Sequence, residues 1–326
     1  MDSPLVGIAL AVYRPDPGAF REQLASIREQ TYPSWRCVLT ADSPLAPLRA
    51  EPALAPFFED ARFSWHENPE RLGVEKNFAR AIGLCVEAGA VYVACSDQDD
   101  VWYPHKLATL VRAIASKPPL SLVHADMDVL VDGVKLARSA WELEGRTVDR
   151  ADPTSLLVRN VATGAAMLMD AELARRYPRV PEGALLHDHW YAFMASLHGG
   201  VHPVRERLHA YRQHGGNVIG VRAYRGLLGG MGVREMLAHR DDAVRNYRAR
   251  RAIALAAQEA GHRLSRVAEL AFTRGLDGGL LLFGMGAASL GDRTLARECF
   301  ALGAGKALAF GFGEARARGR TGRSKT

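Results

Sequence analysis

Three carboxylates and an amide stand side by side at Asp97-Gln98-Asp99-Asp100, directly after the apolar run Val91-Tyr-Val-Ala-Cys95. Neighbouring carboxylates repel, and more strongly where a strand end is partly desolvated, so such a cluster needs a cation or hydrogen-bond donors to offset its cost. Oxygen-only ligands of this kind suit Mg²⁺ or Mn²⁺, and Mg²⁺ is commonly held by one or two carboxylates plus substrate phosphates. A solvated turn or helix cap is the ordinary reading of an isolated Asp-x-Asp. The apolar strand before this one and Val101-Trp-Tyr-Pro104 after it place it instead at the rim of a sheet.

Other residue types invite chemistry less specifically. Arg71 and Lys76 flank Gly73 at the start of a helical pattern, where backbone N–H groups and the helix dipole favour phosphate; a solvated helix face accounts for them about as well. Asn77 either orients this loop or reaches a ribose. Gly164, after Thr163, permits close approach of backbone to a ligand, or marks a bulge. Trp102 and Trp190 are either walls for an acceptor or sugar, or packing residues.

These residues need a frame that holds them. Val6–Val12 is an almost wholly apolar run, the pattern of a strand covered on both faces. Phe20, Leu24 and Ile27 follow at helical spacing behind Asp16-Pro17, where Asp caps and Pro fits the first turn. Trp35–Thr40, Arg62–His66 and Val91–Cys95 read as further strands, and Val74, Phe78, Ile82 and Cys85, then Tyr103–Ser116, as helices. This βαβα order predicts a doubly wound, Rossmann-like α/β sheet with ligands at the carboxyl ends of its strands, where Asp42 and Asp97 both fall. Ser121–Ala125, Val161–Met169 and Val201–Tyr211 are candidate strands and Trp190–Leu197 a short helix, which makes the sheet mixed. From Val221 the pattern is helical and Arg-rich. The expected organisation is an α/β domain over 1–220, a helical appendage over 221–313 and a basic, disordered tail over 314–326.

With 326 residues and 48% apolar content the chain can bury a full core. The net charge of +6 is concentrated in the tail, so nucleic acid is not expected as a partner. Cys37, Cys85, Cys95 and Cys299 form no metal-knuckle spacing, which fits a reducing cytoplasm. No secretory leader is expected, and the apolar stretches Leu276–Leu290 and Phe300–Phe312 are shorter than the roughly 20 residues that span a bilayer. The basic tail and these Gly-rich stretches suit a peripheral position on the inner face of the cytoplasmic membrane.

Ordered segments then carry a resemblance. Ala11-Val-Tyr-Arg-Pro15, Gln30-Thr-Tyr-Pro33, Leu39-Thr-Ala-Asp-Ser43, Asn68 to Phe78, Ser96-Asp-Gln-Asp-Asp-Val-Trp102, His124-Ala-Asp126, Thr163-Gly164, His187-Asp-His-Trp190 and Tyr211 to Asn217 together resemble glycosyltransferase family 2, inverting enzymes of the GT-A fold, and its bacterial rhamnosyltransferase-like members in particular. The resemblance spans roughly residues 5–220. It implies that Val12 and the following loop, Tyr13 and Arg14, pack against the nucleotide, that Asp42 hydrogen-bonds the base, and that Asp97 faces the ribose. It implies that Asp99 holds a divalent metal, that Asp188 is the catalytic base, and that His214 is a further metal or diphosphate ligand. A dTDP-, UDP- or GDP-sugar is the implied donor, with L-rhamnose as a candidate sugar, and a glycan or lipid-linked glycan of the cell surface the implied acceptor. Family members often carry two acidic residues where this chain has Ala41-Asp42, which loosens the assignment of the base.

Two other classes remain open on sequence. A nucleotidyltransferase making nucleotide-sugars would carry a Gly-rich, basic loop after the first strand, where this chain has Tyr13-Arg-Pro-Asp-Pro17. A non-catalytic nucleotide or glycan-binding module would keep Asp42 and Asp97 and have no need of Asp188, which on residue grounds alone is also a helix cap.

Overall fold

The computed structural model describes residues 3–213 and 240–273, with isolated positions between 282 and 306. Four strands, β1 (Val6–Val12), β2 (Trp35–Ala41), β3 (Phe63–Glu67) and β4 (Tyr92–Ser96), run parallel in the spatial order β3-β2-β1-β4. Helix α1 (Pro17–Arg28) connects β1 to β2, the short α2 (Ala46–Arg49) and α3 (Ala55–Glu59) fill the Pro-rich stretch before β3, and α4 (Val74–Glu87) returns to β4. Asp16 caps α1 by accepting the Ala19 N–H at 2.9 Å, and Pro17 opens its first turn, as the sequence predicts.

Beyond β4 the chain adds β5 (Val101–Trp102), α5 (Lys106–Ile114), β6 (Leu122–Val131), β7 (Val134–Lys135), α6 (Ala140–Glu144), α7 (Pro153–Val158), β8 (Met167–Asp170), α8 (Ala171–Arg176), α9 (His187–Ser196) and β9 (Val201–Gln213). The sheet continues β4-β8-β6-β9-β5, with β7 pairing β6. β8 is antiparallel to both of its neighbours, β9 is parallel to β6, and β5 is antiparallel to β9, so the sheet is mixed as expected.

The core explains the burial of the parallel half. Val6, Ile8, Leu10 and Val12 alternate onto one side of β1 with Phe20, Leu24 and Ile27 of α1 in the same apolar cluster. The opposite side of β1 is small for a reason: a Cβ at Gly7 would lie 2.6 Å from Cys85 Cβ and 3.0 Å from Ala90 Cβ, so α4 packs directly onto the strand backbone.

Two expectations are corrected. The strand expected over Val161–Met169 is confined to Met167–Asp170, preceded by a 3-10 turn at Gly164–Ala166. Side chains have claimed the backbone groups a strand would pair: Asn160 Oδ1 accepts the Ala162 N–H, while Arg146 and Lys106 donate to the carbonyls of Val161 and Ala165. The helix expected from Trp190 begins three residues earlier, which puts Asp188 within its first turn and leaves Leu186 at the cap position.

The chain forms two compact units. The first contains, among the described residues, 3–151, 160–180 and 186–213. The second gathers 152–159 and 181–185 with the helices Arg240–Glu259 and Arg266–Phe272, where Tyr247 stacks on Phe272 at 6.3 Å and Thr154 shares a 2.8 Å hydrogen bond with Ser265. The basic tail lies outside the described residues. No helix among the described residues is long and apolar enough to cross a membrane.

The Gly7 packing is testable. Gly7→Ala drives a methyl into the Cys85 side chain and should cost about 1–3 kcal/mol of stability, read as a lowered urea midpoint; an unchanged midpoint would show that α4 is free to back away.

Candidate functional site

Strand register brings the predicted residues to one rim. Val12 pairs with Ala41 and Leu10 with Ser96, so the residues that follow β2 and β4, Asp42 and Asp97, flank the loop that leaves β1. Gln98 ties the acidic loop to that first loop with a two-point pairing: the Tyr13 N–H donates to its Oε1 at 2.8 Å, and its Nε2 donates to the Tyr13 carbonyl at 3.2 Å. Arg14, at φ 43°, turns the chain in the left-handed region and donates its N–H to Ser43 Oγ at 3.1 Å. The guanidinium carbons of Arg71 and Arg14 lie 4.2 and 5.3 Å from the centre of the Tyr13 ring. Tyr13, Arg14 and Arg71 are thus gathered as one aromatic and basic patch. Val12 is not part of that surface: its side chain is fully buried in the core and its carbonyl accepts the Asp42 N–H.

Asp42 faces inward more than the sequence implies. Its Oδ1 accepts from the Leu72 N–H at 3.0 Å and from Asn68 Nδ2 at 2.6 Å, and its Oδ2 accepts the Gly73 N–H at 2.8 Å. The carboxylate therefore pins the turn that carries Arg71, and Gly73, at φ +84°, supplies the backbone geometry for it. Asn77 does not reach a ligand surface. It is buried, donates to the Thr40 carbonyl at 3.0 Å and accepts from Asn68, stitching α4 to the strand ends. Arg80 hydrogen-bonds Asn68 from the other side.

The acidic loop is held by cations that sequence reasoning did not single out. Burial, reinforced by Asp99 and Asp188, pushes the Asp97 carboxyl up to about 7, with Lys106 opposing. Asp100 is fully buried, and burial together with Asp97 and Asp99 pushes its carboxyl up as well. Its Oδ1 accepts the Arg212 N–H at 3.2 Å, and Arg212 Nε donates to the Asp99 carbonyl at 2.9 Å while its guanidinium pairs with Glu22. Lys106 is also fully buried: its Nζ donates to the Ala165 carbonyl at 2.6 Å, stands 3.3 Å from His209 Nδ1 and lies 3.9 Å from the centre of the Trp102 ring. Desolvation pulls this ammonium down to about 7 against the pull of Asp100 and Asp97. The signal in the sequence was a lysine at helical spacing from Trp102 and Leu110, on the apolar side of its helix.

Asp188 is buried on α9 with both oxygens engaged. Asn160 Nδ2 donates to Oδ1 and the Gly164 N–H to Oδ2, each at 2.9 Å. Burial raises this carboxyl to about 6, while the Gly164 and His189 N–H groups, Arg146 and Asn160 work to keep it ionised. Arg146 hydrogen-bonds Thr163 Oγ1 at 2.8 Å and the Val161 carbonyl at 3.0 Å, so it also fixes the segment that presents Gly164. Gly164 is required here for space, since a Cβ would meet His187 Nε2 at 2.9 Å. His187 itself stacks on Phe78 at 4.0 Å, and burial lowers its pKa to about 3.

Trp102 and Trp190 are not sugar walls. Both are buried, Trp102 within the main apolar cluster and Trp190 edge-on to Tyr177 at 6.1 Å. His214 lies outside the described residues.

Among the described residues no three His, Cys, Asp or Glu side chains form a ready metal-binding group. The acidic loop nevertheless fits a hard divalent cation: the donors it offers are carboxylate oxygens, and Asp97, Asp99 and Asp188 lie close enough together for the last two to raise the pKa of the first. Mg²⁺ is commonly held by one or two carboxylates together with phosphate oxygens and waters rather than by a closed protein cage.

Residues 10–171 match the family model described as Glycosyl transferase family 2. A curated relative, the uncharacterized protein y4gI of Sinorhizobium fredii, is 29% identical over 137 residues, 40% of this chain; the chain spans 14% of that protein's length. Among solved structures, S. aureus TarS 1–349 in complex with UDP-GlcNAc is similar with a TM-score of 0.52 at 12% identity, covering 97% of this chain and 92% of that one. The mannosyltransferase PcManGT from Pyrobaculum calidifontis, in complex with GDP-Man and Mn²⁺, has a TM-score of 0.51 at 16% identity, covering 94% and 86%. These likenesses establish a GT-A glycosyltransferase fold, and the family match supports glycosyl transfer.

The Asp42 clamp generates a prediction independent of any ligand. Asp42→Ala removes the acceptor of the Leu72 and Gly73 N–H groups, which should cost about 1–3 kcal/mol and speed amide exchange at both residues. Undiminished protection there would mean that the turn stands without the carboxylate.

Proposed function

We propose, taking the glycosyl transferase family 2 match over residues 10–171 as the premise, that this chain is an inverting, metal-dependent glycosyltransferase. It moves a sugar from a nucleoside-diphosphate donor to a hydroxyl of a glycan or lipid-linked glycan, with Asp188 as the base. The observation that carries this reading is the Asp188 carboxylate, buried yet held by the Gly164 N–H and Asn160 and coupled electrostatically to Asp97. An inverting transfer needs one base on the acceptor hydroxyl and no covalent sugar intermediate, and a carboxyl near 6 is ionised at neutral pH while remaining a competent proton acceptor.

The rest of the rim suits a nucleotide-sugar. Tyr13 offers a flat face to a base, and Arg14 and Arg71 offer positive charge to a diphosphate. Asp97 faces the ribose, and Asp99, with His214, holds the metal. Bound there, Mg²⁺ or Mn²⁺ would stabilise the charge that grows on the leaving diphosphate. Asp42 serves nucleotide recognition by fixing the Arg71 turn, with any direct bond to the base made by a remaining lone pair. L-rhamnose from dTDP is the candidate sugar, and the cytoplasmic membrane face the candidate location. The domain reading remains a catalytic region over 1–220 followed by a helical appendage and a basic tail.

Three outcomes test this. Asp188→Asn should lose transfer by about 10²–10⁴-fold while still binding nucleoside diphosphate with Mn²⁺, measured by turnover and by calorimetry; full turnover would remove the base. A thermal-shift panel of dTDP-, UDP- and GDP-sugars with and without metal should raise the melting midpoint only for the true donor, with the metal-dependent part absent in Asp99→Asn. Turnover should rise with pH through about 6, as Asp188 loses its proton. The linkage runs in the opposite sense for stability: a carboxyl raised from 3.8 contributes stability fully below that value and loses it as pH rises through about 6. The ionised base is thus kept at some expense to the fold, and replacing it should narrow the fall in melting midpoint between pH 4 and 7.

A further inference from the structure

The acidic loop and the turn beneath Asp188 are joined through the interior by three fully buried side chains, Lys106, His209 and Asp100. In its charged form Lys106 only donates, so His209 Nδ1 then accepts from it and the imidazole proton sits on Nε2. Nε2 lies 3.6 Å from Asp100 Oδ2, beyond hydrogen-bond distance, and neither of these two buried atoms has a hydrogen-bond partner among the described residues. Burial and the adjacent ammonium hold His209 neutral, well below its usual range, which agrees with this tautomer. At the other end Lys106 makes a 2.6 Å bond to the carbonyl of Ala165. The residue before it, Gly164, donates the N–H that holds Asp188 Oδ2 at 2.9 Å.

A buried ammonium is costly to keep, and a hydrophobic residue would pack well beside Trp102. The lysine is placed where one donor meets a backbone carbonyl and the charge sits within reach of Asp97 and Asp100. We propose that Lys106 is a positioning residue: by clamping the Ala165 carbonyl it fixes the Gly164–Ala166 turn and hence the orientation of Asp188, and by its charge it lets Asp100 remain inside the fold as the other anchor of the acidic loop. It touches no reacting atom. The inference rests on the reading of Asp188 as the base, and predicts that Lys106 governs turnover rather than donor affinity.

The test compares Lys106→Met with the wild-type chain in three measurements: amide exchange over 160–167, the kcat and KM for the donor, and calorimetric affinity for the nucleoside diphosphate with Mn²⁺. Faster exchange confined to Gly164–Ala166, a fall in kcat of ten- to a hundredfold and an affinity within a factor of three of wild type are expected. If Lys106→Met does not fold, the double variant Lys106→Met/Asp100→Asn, which removes both buried charges, is read against Asp100→Asn alone, with the same loosening of Gly164–Ala166 expected only in the double variant. Unchanged exchange in that turn overturns the proposal, as does a loss that falls on donor affinity with kcat intact. Asp188→Asn at full turnover would sink the base reading while leaving the exchange result to judge the clamp by itself.

Discussion

Carboxylates drawn partly out of water at the end of a sheet repel one another and miss their hydration, and most of what surrounds this rim answers that cost. Asp97, Asp99, Asp100 and Asp188 share the region with Lys106, Arg146 and Arg212. None of these cations is a bare counter-charge. Lys106 binds the Ala165 carbonyl, Arg146 the Val161 carbonyl, and Arg212 the Asp99 carbonyl. Neutralising the acids and setting the backbone that carries them are accomplished by the same side chains, which is how a cluster of like charges becomes a defined geometry.

The opposite side of the rim is held by amide and peptide groups gathered around a single carboxylate. Gln98 joins the acidic loop to Tyr13, and the Asp42 carboxylate gathers Leu72, Gly73 and Asn68 beneath Arg71. Loops after all four parallel strands are thereby set against each other. Such preorganisation is what electrostatic stabilisation of a developing diphosphate would demand, since donors already in place need no rearrangement as charge shifts. The parallel half of the sheet contributes rigidity: β1 is covered on both sides, and its register fixes where Asp42 and Asp97 emerge.

The sequence carried the placement of chemistry on strand ends better than the direction in which side chains face. Alternation of apolar runs and helical spacing located β1 to β4 and α1, and the position of Asp42 and Asp97 after strands followed, because local pattern and topology agree there. Val12, expected against the nucleotide, lies inside, and Asn77, Trp102 and Trp190, each open between a ligand surface and a structural role, take the structural one, since a residue adjoining a site is read identically whether it turns toward the ligand or the core. The strand expected over Val161–Met169 was lost to partners far away in sequence, Lys106 being 59 residues from Ala165. Lys106, in the expected helix Tyr103–Ser116, and Arg212, in the segment Tyr211 to Asn217, were legible there only as basic residues, because their meaning depends on contacts with residues far away in sequence.

The position of β9 has a consequence for how the molecule is made. Among the described residues it is the last strand of the sheet to be synthesised, yet it lies in the interior of the order, between β6 and β5, and it brings both His209 and Arg212. Arg212 follows Asp100 by 112 residues, a delay on the order of 10 s at the usual 5–20 residues per second of synthesis. During that interval β1 to β4 have all the residues they need to pair, while the acidic loop stays hydrated and β5 has no neighbour. Insertion of one late strand then dehydrates Asp100 and supplies, in a single event, the Arg212 N–H that its Oδ1 accepts and the guanidinium that binds the Asp99 carbonyl. The nascent chain is spared the state in which Asp100 is buried before the Arg212 N–H is there to meet it.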